Sequence, residues 1–115
     1  MKKLIPALTL SVVMFAPATG LGEEIKLPAG LCKSGFGTDE QGRALCVEMT
    51  SNGEAFRWYR YGVCGQLRGW PMQAVGNNRY VSGPVVFHVK RVRGKEVHGP
   101  LYFEGRKAGD MVLYC

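Results

Sequence analysis

From Ala44 to Tyr61 the chain reads ALCVEMTSNGEAFRWYRY, two runs rich in β-branched and aromatic residues on either side of Asn52-Gly53. Apolar and polar positions alternate with a period of two, the pattern of a half-buried strand. Asn-Gly between such runs predicts a hairpin, because a two-residue type I′ turn needs φ > 0 at both central positions. With Asn52 and Gly53 as the loop, Ser51 faces Glu54, Met49 faces Phe56, Val47 faces Trp58 and Leu45 faces Arg60. One face then carries Leu45, Val47, Met49, Phe56 and Trp58. The other carries Cys46, Glu48, Thr50, Arg57, Tyr59 and Tyr61, with Glu48 across from Arg57. A ribbon with one apolar face needs a second layer to cover it.

A second pair follows the same pattern. Val85 to Val92 (VVFHVKRV) predicts a strand, Arg93-Gly94-Lys95-Glu96 its reversal and Val97 to Glu104 the return. With Gly94 and Lys95 as the loop, Val89 faces Pro100, Phe87 faces Tyr102 and Arg91 faces His98; Gly99-Pro100 interrupts the return strand, since proline has no N–H to give the ladder. Met111 to Cys115 is a last apolar strand. Glu23 to Gly30 reads as a lead-in or short edge strand, and Cys32 to Gly42 as glycine-rich turn. Gln66 to Val75 reads as loop with one short strand pair, because Gly69 and Pro71 interrupt any helix; Gly76-Asn77-Asn78 is a turn. About six short strands with frequent turns predict an all-β fold, a small antiparallel barrel or sandwich.

The amino terminus has a different pattern. Lys2 and Lys3 precede an apolar run from Leu4 to Phe15, and small residues follow, the layout of a secretory signal peptide too short to span a bilayer comfortably. Residues 1–22 are read as that signal and residues 23–115 as one β domain. A domain of this size buries only part of its chain surface and often needs covalent help. The four cysteines, Cys32, Cys46, Cys64 and Cys115, are an even number in an exported chain, which implies two disulfides and an oxidising compartment. Three connectivities are possible. The turn formers from Thr38 to Gly42 favour Cys32 with Cys46, leaving Cys64 with Cys115. No CxxC spacing suggests zinc, and neither a metal nor a cofactor is expected. The expected location is the periplasm or exterior of a Gram-negative bacterium.

Charge changes the picture along the chain. The sequence holds 15 Lys and Arg against 9 Asp and Glu. The segment from Glu23 to Glu54 is acidic on balance, whereas Arg57 to Lys107 is strongly basic. Such a half suits anionic partners, although scattered basic residues also serve solubility.

Candidate chemistry is sparse. The two histidines, His88 and His98, fall on opposite faces of the simple hairpin register, which argues against paired acid–base catalysis. Ser34, Ser51 and Ser82 lie in turn contexts, and none forms a G-x-S-x-G elbow. A binding surface is better supported. Arg57, Tyr59 and Tyr61 form an outward row, and tyrosine with arginine is the pairing enriched at protein–protein hot spots. Lys90, Arg91, Arg93, Lys95 and Tyr102 could extend it, and Trp70, beside Gly69 and Pro71, reads as either a core plug or an anchor. The expectation is a non-enzymatic exported domain that binds a protein of the bacterial envelope, as an inhibitor, immunity factor or surface-assembly component. The alternative is a module for an anionic polymer (glycan, lipopolysaccharide or nucleic acid). A small secreted hydrolase is the third class.

Overall fold

The computed structural model describes residues 24–115; the leader expected over residues 1–22 lies outside the described residues. The chain enters the fold through β1 (Gly30–Thr38), β2 (Ala44–Ser51) and β3 (Phe56–Val63). Four short strands follow, β4 (Arg68–Pro71), β5 (Gln73–Gly76), β6 (Arg79–Ser82) and β7 (Val85–His88), then β8 (Arg91–Arg93), β9 (Glu96–Phe103) and β10 (Arg106–Tyr114). All pairings are antiparallel, in one sheet ordered β4-β3-β2-β1-β10-β9-β7-β6-β5, with β8 also on β9. There is no helix among the described residues.

The two ends of that order, β4 and β5, are neighbours in sequence, joined through Met72. The sheet therefore rolls until its edges meet. The Met72 N–H donates to the Arg57 carbonyl (2.8 Å), extending the β3–β4 ladder, and the Ser82 hydroxyl donates to the Pro71 carbonyl (2.8 Å), which bonds β6 to β4 across the seam. The result is a nearly closed antiparallel barrel, a common way to manage exposed sheet edges. The all-β expectation is met with ten strands rather than about six. The extra strands come from stretches read wholly or partly as loop: Cys32 to Gly42, read as turn, belongs largely to β1, and Gln66 to Val75, read as loop with one short strand pair, supplies β4 and most of β5.

The central hairpin is out of the expected register, and its turn explains why. Asn52 keeps an ordinary φ and spends its side chain instead: its Oδ1 accepts from Glu54 N (2.9 Å) and Ala55 N (3.0 Å), while its own N–H donates to the Ala55 carbonyl (3.1 Å). The loop is thus Asn52 to Ala55, and Ser51 pairs with Phe56. Thr50 then pairs with Trp58, leaving Arg57 as the extra residue of a β-bulge. Beyond it every side chain of β3 sits on the other face from the one expected. Met49 faces Tyr59, Val47 faces Tyr61, and Glu48 faces Arg60, 3.8 Å away, rather than Arg57. Trp58 points out, and Tyr59 is in the core. The compact type I′ geometry appears instead at Asn77-Asn78, both with positive φ (55° and 61°), between β5 and β6.

The second hairpin keeps Arg91 opposite His98 but puts Phe87 opposite Leu101 rather than Tyr102. Val89 and Lys90 leave the ladder: Val89 N–H donates to the Asn78 carbonyl and Lys90 N–H to the His98 carbonyl, each at 2.8 Å. The interruption therefore falls opposite Gly99-Pro100 rather than in β9, which runs through both. The His88 carbonyl lies so close to Gly99 that a Cβ there would collide with it.

Both expected disulfides are corrected. Cys32 bonds Cys115 and Cys46 bonds Cys64. The β1–β2 reversal does form, but Cys32 sits opposite Met49 and Cys46 opposite Gly35, three positions along the strand, about 10 Å at strand rise. The first bridge reinforces the join between β1 and β10, whose register shows a single pair, Lys33 with Tyr114. The second ties β2 to the β3–β4 connection. Structural disulfides are typical of extracellular and periplasmic proteins. Among the described residues no helix is long and apolar enough to cross a membrane.

Candidate functional site

The antiparallel meander places the connections of residues 39–43, 64–67, 83–84 and 104–105 at one end of the barrel, its mouth. The turns of residues 52–55, 77–78 and 94–95 lie at the other, its base. Base and mouth are filled differently. At the base Phe56, Tyr80 and Phe87 pack edge-on or tilted, with centroids 5.3 Å and 6.0 Å apart, among Met49, Val89, Val97 and Leu113. Toward the mouth the filling stops short and leaves a cleft of about 750 Å³.

One wall of this cleft is a row of rings from β3 and β4. Tyr59 and Tyr61 are two residues apart on one face of β3, nearly parallel (7°) at 6.5 Å, and Trp70 lies against Tyr59 at 6.1 Å and 28°. Pro71 continues that wall; Pro84, Val85, Leu101 and Phe103 form the facing one. Two ladder irregularities lie at the mouth. The β1–β2 register shifts between Gly35 and Thr38, and the β9–β10 register between Lys107 and Gly109; Phe36 and Ala108, the residues displaced there, both line the cleft. Gly109 stands beside the Phe36 ring, where a Cβ would be 3.7 Å from its Cε1.

The cleft opens to solvent, since Trp70 is 43% and Phe103 50% exposed, while Tyr59 at its inner end is 5% exposed. Burial, with a smaller contribution from neighbouring Tyr61, pushes the Tyr59 phenol up to about 12, so it stays protonated at any physiological pH. Among the described residues no charged side chain lines the cleft, and the Ser82 hydroxyl is already committed to Pro71. Size and lining are those of ligand sites in barrel mouths: mostly apolar and aromatic, with few polar groups.

Of the residues singled out from sequence, the structure brings together Tyr59, Tyr61 and Trp70. The Arg57–Tyr59–Tyr61 row is split: Arg57 is the exposed bulge residue, its carbonyl holding Met72. Tyr102 pairs with Val86 and Lys107, one residue out of step with the inward Leu101 and Val85. Lys90, Arg91, Arg93 and Lys95 lie toward the base, exposed, near Arg79; none of the five has an ion pair among the described residues. Lys90 and Arg91 border a smaller hollow of about 320 Å³ with His98. Phe36, Pro84 and Phe103 were missed. The signal for Phe36 was weak, one aromatic in the glycine-rich SGFG, and that for Phe103 was an aromatic near the end of the expected return strand.

The offset at Val89 and Lys90 also revises the histidines. Both alternate with buried neighbours, Phe87 and Val97, and so lie on the outer side of the sheet rather than on opposite sides. The His98 ring is within 3.0 Å of the Glu96 carboxylate. His88 is held below its ordinary pKa by burial and by the charges of Lys90 and Arg79. Among the described residues no cluster of His, Cys, Asp and Glu is arranged to hold a metal. No protein-family model, curated protein or solved structure matches this chain.

Proposed function

We propose that this chain is a periplasmic or secreted binding domain rather than an enzyme, and that it holds the apolar part of its partner in the aromatic cleft. The partner expected is a protein of the bacterial envelope. One observation carries the reading: the Tyr59–Tyr61–Trp70 row borders an open volume instead of being covered by the protein's own core. Aromatic rings left at a pocket rim supply much contact area at little conformational cost, which is why they dominate interface energetics.

The test is titration with the neutral dye N-phenyl-1-naphthylamine. Saturable fluorescence enhancement is expected, unchanged between about 50 and 500 mM salt, since no counterions are released. Trp70→Ala is expected to weaken it about tenfold while the circular dichroism spectrum is retained. Equal affinity in the wild type and the variant would remove the cleft from consideration.

A second reading has its own observation. The five unpaired cations near the base, Arg79, Lys90, Arg91, Arg93 and Lys95, suit an anionic polymer, whose binding would weaken steeply with salt.

A further inference from the structure

Among the described residues the Tyr59 hydroxyl has no hydrogen-bond partner, and its ring lies beside those of Tyr61 and Trp70. Buried tyrosine hydroxyls usually find one, because a donor removed from water without replacement loses its hydration for nothing. Tyr80, at the base, is as buried and likewise without a hydrogen-bond partner among the described residues, but it lies against the Phe56 ring and does not line the cleft. Tyr59 lines the cleft, where an incoming molecule can reach it.

Resting on the reading of the cleft as a binding site, we infer that the apolar group its partner places there is uncharged and carries a carbonyl or similar acceptor, which takes a hydrogen bond from the Tyr59 hydroxyl. Each property follows from a separate feature. Absence of charge follows from the lining, which offers no Lys, Arg, Asp or Glu to a buried ion. The acceptor follows from the phenol, which is protonated across the physiological range and so donates. A volume of about 750 Å³ accommodates a group the size of two or three fused rings.

The experiment compares two probes of one shape, 2-acetylnaphthalene and 2-ethylnaphthalene, on the wild type and on Tyr59→Phe, with binding followed by quenching of Trp70 in a Trp58→Phe background. The ketone is expected to bind about five- to tenfold more tightly than the hydrocarbon on the Tyr59 protein, and equally on Tyr59→Phe. A ketone preference that survives Tyr59→Phe overturns the assignment to this hydroxyl. Equal binding of both probes to both proteins overturns the acceptor while leaving the cleft a binding site. Failure of both probes and of the neutral dye overturns both readings. Urea unfolding adds a readout without ligand: Tyr59→Phe is expected to leave the midpoint unchanged or raise it, and a lowered midpoint would show that the hydroxyl is already satisfied.

Discussion

The barrel contains two aromatic trios, and one strand feeds both. Phe56, at the start of β3, joins Tyr80 and Phe87 at the base; Tyr59 and Tyr61, beyond the Arg57 bulge, join Trp70 at the mouth. The first trio is packed at steep angles, Phe56 edge-on to Tyr80 (77°) and tilted against Phe87 (54°), and is enclosed. The second is stacked nearly parallel and ends at solvent, with Trp70 and Phe103 about half exposed. The same residue types thus make a finished core at one end and an unfinished one at the other. The bulge supplies the parity that makes this possible. Without it Tyr59 and Tyr61 would face away from Phe56, and Trp58 would take their place.

The largest expected effect lies in the covalent frame. In the chain-entropy account, removing Cys32–Cys115, with a sequence separation of 83, costs about 4.5 kcal/mol, and removing Cys46–Cys64, separation 18, about 3. Paired serine variants compared by urea unfolding should follow that order, reinforced by the single-pair join between β1 and β10 that the first bridge secures. Near-equal losses would show that this join holds without its bridge.

Next come the rings themselves. Phe87→Ala opens a hole in an enclosed cluster and should cost about 4 kcal/mol, whereas Tyr61→Ala, at the rim of a space already open, should cost under about 1 kcal/mol. Equivalent losses in denaturant melts would mean that the mouth is as much a core as the base.

Alkaline pH separates the trios more finely. Burial raises the pKa of Tyr59 to about 12 and that of Tyr80 by a smaller amount, while unfolded tyrosines ionise near 10. A folded-state value above the unfolded one contributes stability that is complete below pH 10 and is lost as pH climbs from 10 through 12. The urea midpoint should fall over that window. Tyr59→Phe should flatten most of the fall, and Tyr80→Phe less of it.

These contrasts mark what sequence reasoning could and could not reach. Period-two alternation announced the strands of both hairpins, because half-burial leaves a local imprint. Residues read as loop became β1 and β4 because Gly35, Gly37, Gly69 and Pro71 hide the alternation, although their partners are the adjacent strands: Cys32 pairs with Met49, and Trp70 with Tyr59. At Asn52-Gly53 the turn chemistry was recognised but its type was not, since an asparagine can either take φ > 0 or cap the loop with its side chain. That one choice moved Tyr59 and Tyr61 from an outward row into the cleft. The disulfide pairing failed for a related reason: hairpin closure brings strands together without saying which rungs align. Tyr59, Tyr61 and Trp70 were therefore found as residues, whereas their common site emerged only on closure of the barrel.

The smallest expected effect concerns the base, where the contrast with the mouth is one of charge. Arg93 and Lys95 flank the β8–β9 turn, exposed and without ion pairs among the described residues, so Arg93→Ala with Lys95→Ala should change stability by no more than about 0.5 kcal/mol. Binding of the neutral dye at the mouth should not change. If the base contacts an anionic polymer, binding to a single-stranded oligonucleotide should lose roughly 1.4 from the slope of log K against log salt, at about 0.7 for each phosphate contact removed. An unaltered slope would assign these cations to solubility and leave the mouth as the binding end. A change in dye affinity would instead show that the two ends are coupled through the barrel wall.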